Sequence, residues 1–170
     1  FPKQGHYVFS GPEFTGELAV LEVGFPRAMD QEEGNKFLLQ ISDFVSTSYK
    51  RNRFADKKSF GHTLVLGGSH GYTGALVLAS EAALKVGAGL VTGATWEGQY
   101  LEYISRLIPE VMTGYIPEDP TQWDNVLKSL DRYDCIVIGP GLERSENART
   151  CVLEVLNNYS GTVELDADAL

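Results

Sequence analysis

The sequence predicts an α/β fold, a parallel sheet with flanking helices, preceded by a short β segment. Two observations carry that prediction. From Gly61 onward, short apolar runs alternate with stretches whose apolar residues recur at helical spacing, the order that produces parallel strands joined by right-handed crossovers. In addition, a strand-like run, Thr63 to Leu66, meets a loop with glycines at Gly67, Gly68, Gly71 and Gly74, and an alanine-rich helical stretch follows directly. Strand, glycine loop, helix is an arrangement that presents backbone N–H groups to an anion or a nucleotide.

The elements follow in order. Tyr7 to Phe9 and Leu18 to Val23 read as short strands, with turn residues SGPEFTG between them. Residues 29–60 hold a polar connector, MDQEEGN, a helix around Lys36 to Phe44, and a basic stretch from Tyr49 to Lys58. Most of its cations read as a solvated linker; some could steer a phosphorylated substrate. The first main strand is Thr63 to Leu66, and its helix runs from about Gly74 to Val86. Leu90 to Thr95 is the second strand, and Gln99 to Ile108 a helix carrying Tyr100, Leu101, Ile104 and Leu107. Thr121 to Arg132 places Trp123, Val126, Leu127 and Leu130 on one helical face. Cys135 to Ile138 is the third strand. Ser145 to Asn157 is a helix with Ala148, Cys151, Val152, Val155 and Leu156 inward, and Thr162 to Leu165 is the fourth strand.

Bulk properties narrow the function. The chain has 170 residues, 43% of them apolar, enough for one ordinary domain with a core. A net charge of -9 argues against a nucleic-acid partner, which needs clustered Lys and Arg. No run of 18 apolar residues provides a membrane span, and no secretory leader opens the chain. Cys135 and Cys151 read as buried free thiols in a reducing, cytoplasmic compartment; a disulfide is not required. Both ends read as cut, because the chain starts at Phe1 and stops just past an apolar strand with no helix to cover it. An internal piece of a longer protein is expected.

In an open α/β sheet, ligands gather at the carboxyl ends of the strands. The loops in question are 67–73, 95–98, 139–144 and 166–170. A P-loop is excluded, since no lysine follows these glycines. The G-x-G-x-x-G spacing of a dinucleotide fingerprint is not met either, although Glu97 could imitate its ribose-binding carboxylate. Four glycines together with Ser69, His70, Tyr72 and Thr73 favour a binding surface over a plain turn. Gly139-Pro140-Gly141 reads as a rigid turn with exposed N–H groups, either a tight connection or a second wall of the pocket. Asp166 and Asp168 have the spacing of two side chains on one face of an extended segment. They could bind Mg²⁺, act as acid and base, or cap and hold a neighbouring loop; a structural role is expected for at least one. His6 and His62 read as surface residues. No second histidine or cysteine stands at metal-ligand spacing around His70, and no G-x-S-x-G elbow is present.

GGSHGYTGA (residues 67–75), with its alanine-rich helix and GAGLVT, resembles the ADP/ATP-dependent NAD(P)H-hydrate dehydratase family, whose fold is ribokinase-like. Four further motifs match in order. KKSFG (Lys57 to Gly61) resembles the family's H-K-G-x-x-G opening, with Asp56 where histidine is usual and Lys58 where glycine is usual. Ile108 to Met112 is similar to its P-E-x-M segment. Ile138 to Leu142 is similar to G-P-G-L-G, with Glu143 replacing the last glycine. Leu165 to Leu170 matches D-A-D-A-L.

The resemblance implies that residues 61–170 are the N-terminal part of the dehydratase domain, only the first half of a ribokinase-like sheet. Residues 1–28 resemble the tail of the epimerase domain that precedes it in bifunctional bacterial members, and 29–60 are then a linker with a lead-in helix. It implies dehydration of (6S)-NAD(P)H hydrate to NAD(P)H, driven by ADP or ATP with Mg²⁺, coupled in the full-length protein to epimerisation of the R and S hydrates. The binding residues it points to, together with the loops above, are Gly68, Ser69, His70, Tyr72, Thr73, Gly74, Ala75, Gly139, Gly141, Asp166 and Asp168. Ala75 and Gly141 match hydrate-binding positions of the family. The family's catalytic aspartate, in a G-S-G-D helix start, is expected downstream of Leu170, so the piece alone is expected to be inactive. The partners implied are the hydrate and an adenine nucleotide, in a homo-oligomer. A vitamin-precursor kinase of the same fold and a non-catalytic nucleotide-binding module are the alternatives.

Overall fold

Five parallel strands form one sheet in the order β3-β2-β1-β4-β5: β1 His62–Leu66, β2 Leu90–Trp96, β3 Met112–Ile116, β4 Cys135–Ile138 and β5 Thr162–Leu165. The computed structural model describes residues 3–21, 24, 38, 40, 43, 51 and 53–170. They fall into two units, Phe1–Lys50 and Arg51–Leu170, and the sheet belongs to the second.

The first unit corrects the expected β segment. Tyr7 to Phe9 form a turn after the 3-10 helix Gln4–His6, and Leu18 to Leu21 carry no strand. Between them lies a one-turn helix, α1, Gly11–Thr15. The reason is local: Pro12 in the first turn has its φ preset for a helix, and Thr15 Oγ1 closes the turn on Gly11 O at 2.7 Å. Phe9 takes φ 56 and Gly16 φ 61, both incompatible with a strand. Glu22, Val23 and most of the helix expected over 36–44 lie outside the described residues.

In the second unit the four expected strands are present, and β3 is an addition at the sheet edge. Its burial alternates weakly, with Met112, Thr113 and Tyr115 exposed, which leaves little apolar contrast to read. Around the sheet run α2 Thr73–Val86, α3 Tyr100–Arg106, α4 Asp124–Leu127 and α5 Glu146–Asn158. α2 ends at Gly87, whose φ of 118 is a left-handed cap that few other residues tolerate. α5 begins at Ser145, whose Oγ accepts the Ala148 N–H at 3.1 Å, a cap that contributes about 1 kcal/mol. The single helix expected over Thr121–Arg132 is broken. A 3-10 turn at Pro120–Gln122, the short α4 and a 3-10 turn at Leu130–Arg132 share the apolar face. Ser129 contributes to the break, its hydroxyl donating to Val126 O at 2.7 Å.

Strand alternation divides the core in two. Leu64, Leu66, Trp96, Ile136 and Ile138 face α5, Trp123 and Leu142 on one side. Val65 and Val91 face Leu76, Val77 and Tyr103 of α2 and α3 on the other. Each such buried side chain contributes about 1.5–3 kcal/mol.

His62, expected at the surface, is half-buried. Its Nε2 lies 2.8 Å from Thr92 Oγ1 and its ring meets Tyr133 edge-on at 4.6 Å. Burial, and then the Arg132 charge, hold its pKa below the ordinary value. Both cysteines are free; Cys151 is buried and Cys135 partly so. No helix among the described residues is long and apolar enough to cross a membrane.

Candidate functional site

Because the strands are parallel, the loops after β1, β2, β4 and β5 leave the sheet at one end. β1 and β4 are neighbours, with Leu66 beside Ile138, so the two glycine segments that follow them meet. Gly68 N–H donates to Pro140 O at 2.9 Å and Ser69 N–H to Gly141 O at 2.6 Å. Gly139 N–H returns to Leu66 O at 3.0 Å. From the β2 side, Gly67 N–H donates to Ala94 O at 3.1 Å, and the Thr95 hydroxyl donates to Gly68 O. Trp96 Nε1 donates to Leu142 O at 3.3 Å.

This corrects one expectation. The amides of Gly67, Gly68, Ser69 and Gly139 are not held open for an anion; they stitch the loops together. Glycine is needed here for close approach. A methyl on Gly67 would sit 2.2 Å from Pro140 O. One on Gly141, at φ 62, would sit 2.8 Å from Tyr72 Cβ and 3.1 Å from Ala75 Cβ. Gly141 and Ala75 therefore lie against each other.

Beside this seam is a cleft of about 350 Å³. His70 of the first loop, Trp96 at the end of β2 and Gln99 after it, Glu118 after β3, and Glu143, Ser145, Glu146 and Asn147 after β4 line it. Three carboxylates and no Lys or Arg are among these residues. Gly98 N–H and Asn147 Nδ2 both hold Glu118, at its Oε1 (3.3 Å) and its carbonyl (3.1 Å). A second cavity of about 550 Å³ shares Glu143, Ser145 and Glu146 with the first and extends to Arg144, Arg149, Leu153 and Asp168 to Leu170.

The eleven sequence-predicted residues divide. His70 lines the first cleft and Asp168 the second. Gly74, Ala75 and Gly141 are half-exposed, and Tyr72 is exposed at the seam. Gly68, Ser69, Thr73 and Gly139 are buried. Thr73 opens α2, and its hydroxyl is taken by Glu102 Oε1 at 3.0 Å, itself paired with Arg106 at 3.0 Å. Ser69 Oγ is buried with no hydrogen-bond partner.

Asp166 and Asp168 do not share one extended face. β5 stops at Leu165, and Ala167 at φ 44 starts a 3-10 turn, Ala167–Ala169, that redirects Asp168. Asp168 Oδ2 accepts the Glu143 N–H at 3.1 Å, and its Oδ1 faces Arg144 Nε at 3.5 Å. Asp166 is exposed, and its N–H donates to Ile138 O at 3.0 Å. With both Asp168 oxygens engaged, and no cluster of three or more His, Cys, Asp or Glu among the described residues able to hold a metal, these residues do not fit the Mg²⁺ site the sequence suggested.

Sequence reasoning missed Glu118, Ser145, Glu146, Asn147 and Gln99, and treated Glu143 only as a departure from a motif. Glu118 was hidden with the strand that delivers it. The signal was Tyr115-Ile116-Pro117-Glu118, an apolar run stopped by proline.

The model of a family described as NAD(P)H-hydrate dehydratase matches residues 63–170. The chain belongs to the NAD(P)H-hydrate dehydratase family. Similar proteins include the bifunctional NAD(P)H-hydrate repair enzyme Nnr of Moorella thermoacetica, 36% identical over 99% of this chain and 33% of its own length. The corresponding enzyme of Coxiella burnetii is 38% identical over 99% of this chain and 34% of its own length. The chain thus spans about a third of the length of the curated relatives it matches. Among solved structures, the ADP/ATP-dependent NAD(P)H-hydrate dehydratase of Bacillus subtilis, co-crystallized with ATP/Mg²⁺, matches with a TM-score of 0.57 and 29% identity. That match covers 71% of this chain and 42% of that one. A ribokinase-like superfamily protein of Enterococcus faecalis matches with a TM-score of 0.60 and 28% identity, over 71% and 41% of the two chains. The fold is therefore ribokinase-like, and in this chain the glycine seam lies at the carboxyl end of the sheet.

Proposed function

We propose that this chain supplies the hydrate-binding wall of an enzyme that dehydrates (6S)-NAD(P)H hydrate to NAD(P)H with ADP or ATP. In the full-length protein this is coupled to epimerisation of the R and S hydrates. The observation that carries the reading is the contact of Gly141 with Ala75, the two positions the family resemblance assigns to the hydrate, beside a cleft of 350 Å³. A hydrated nicotinamide ring is uncharged and bears hydroxyl and carboxamide groups. Carboxylate, amide and hydroxyl side chains can donate and accept around such a ring, while three carboxylates repel phosphate. The dinucleotide's phosphates and the ADP or ATP then lie away from the cleft.

The chemistry is phosphoryl transfer to the ring hydroxyl, followed by loss of phosphate. Positioning and charge stabilisation dominate such a reaction. Within this chain, the seam and cleft orient the ring. The groups that hold the donor's phosphates and Mg²⁺ are assigned to residues beyond Leu170. Residues 1–28 are assigned to the end of a preceding epimerase domain. That assignment is supported by relatives named bifunctional that align with 99% of the chain, where the solved dehydratase covers 71%. Two free thiols fit a reducing, cytoplasmic compartment, and a homo-oligomer is part of the same reading.

The test is recovery of NADH absorbance from its hydrate by the full-length protein, with ADP, ATP or neither. Nucleotide-dependent recovery is expected. A folded full-length protein inert toward the hydrate, yet phosphorylating a vitamin precursor, would replace this reading with a kinase.

A further inference from the structure

The turn after β4 contains a conformation its sequence does not favour. Glu143 has φ 70, the left-handed region that costs a non-glycine residue energy and persists only when the surroundings enforce it. Three contacts fix this turn. Leu142 is fully buried, its N–H donates to Gly139 O at 3.0 Å and its carbonyl accepts from Trp96 Nε1 at 3.3 Å. One residue on, the Glu143 N–H is taken by Asp168 Oδ2 at 3.1 Å. Asp168 is in turn aimed by Ala167, whose φ is 44. Of the two left-handed non-glycine residues of the described sheet unit, Glu143 donates this hydrogen bond and Ala167 directly precedes its acceptor. Arg144, 82% exposed, adds little to it.

We propose that Asp168 is a positioning residue. It holds Glu143 in the left-handed conformation and thereby sets the wall of the cleft that Glu143, Ser145 and Glu146 form. The inference rests on the dehydratase reading for its kinetic test. A carboxylate that accepts a backbone N–H makes a charge-assisted bond of more than ordinary strength. Without it, the turn relaxes toward conformations that glutamate prefers, and the cleft loses its shape. A glycine at 143 would hold positive φ without the clamp. Asp168 is therefore needed only because residue 143 is a glutamate.

The experiment uses the full-length protein with Asp168→Ala, Asp168→Asn, Glu143→Gly and the double variant Asp168→Ala/Glu143→Gly. Expected for Asp168→Ala is a rise of about tenfold in KM for the hydrate with kcat within about twofold, the loss of one charge-assisted bond. Asp168→Asn keeps an oxygen acceptor and should recover most of the KM. In the Glu143→Gly background, Asp168→Ala should change KM less than about twofold. Equal KM effects of Asp168→Ala in both backgrounds, or none in either, would overturn the clamp. If the full-length protein dehydrates no hydrate, the functional reading fails, and Trp96 emission, assigned by Trp96→Phe, decides the clamp. A shift with Asp168→Ala that the added Glu143→Gly abolishes supports it; an unshifted or equally shifted spectrum overturns it.

Discussion

Alanine at Gly67 should be far more damaging than alanine at Gly71 or Gly74. The new Cβ would lie 2.2 Å from Pro140 O and 3.0 Å from Pro140 C, both backbone atoms of a turn that cannot rotate away. The turn must move by about an ångström, an overpacking that costs about 1–3 kcal/mol. That movement also loosens the Gly68 to Pro140 and Ser69 to Gly141 hydrogen bonds, at about 1 kcal/mol each. The total is about 3–5 kcal/mol, a large part of a stability of about 5–15 kcal/mol, and lowers the melting temperature by roughly 6–20 °C. Gly71 has φ 79 but open space around it, so alanine there costs only the left-handed backbone, about 1 kcal/mol. Gly74 has open space and lies in α2, so alanine should stabilise by up to about 1 kcal/mol. Thermal unfolding of the three variants in the full-length protein, followed by circular dichroism, tests the ranking. If Gly67→Ala melts with Gly71→Ala, the seam is not the rigid contact described.

Gly93→Ala in β2 should cost about 2–3 kcal/mol by denaturation, because its Cβ would meet the buried Tyr103 hydroxyl at 1.8 Å. That hydroxyl and Ser80 Oγ are both buried next to Gly93 without a hydrogen-bond partner, and burial pushes the Tyr103 pKa up to about 12. Tyr103→Phe should therefore be neutral or stabilising by about 1 kcal/mol in the same measurement. The lowered pKa of His62 favours its neutral form in the folded state. Its contribution is full above the unfolded value of about 6.5 and is lost as pH falls through the folded value, so stability measured against pH should decline there, and His62→Phe should flatten the slope. Burial pushes the Cys151 thiol up to about 12 and raises Cys135 as well. Alkylation at pH 8, read by mass spectrometry, should be slow at both in the folded protein, slowest at Cys151, and fast on unfolding.

What the sequence disclosed depended on contrast. β1, β2, β4 and β5 are apolar runs bounded by turns, and each was readable within two residues. β3 was not, because Met112, Thr113 and Tyr115 face outward at a sheet edge. Tyr7 to Phe9 had strand composition, but Pro12 and two left-handed residues nearby outweighed it. The glycine loops were legible because glycines cluster where a strand hands over to a helix. Their use was not. Whether an amide faces a ligand or a carbonyl depends on which strand lies alongside, and the pairing of Leu66 with Ile138 joins segments distant in sequence. The same tertiary partner decided Asp168, whose i, i+2 spacing from Asp166 suggested a shared face until Ala167 turned the chain.

The order of strands also sets a timetable. β1 meets β2 soon, His62 beside Leu90, but the β4 side is reached only at Asp134, 72 residues from His62. At about 5–20 residues per second, a ribosome needs roughly 4–14 s to deliver that second neighbour. For that interval the first glycine loop has no turn to rest against. A substitution at the seam would therefore act on the nascent chain as well as on the finished protein, lengthening the period in which β1 has one open flank and chaperones or proteases can reach it.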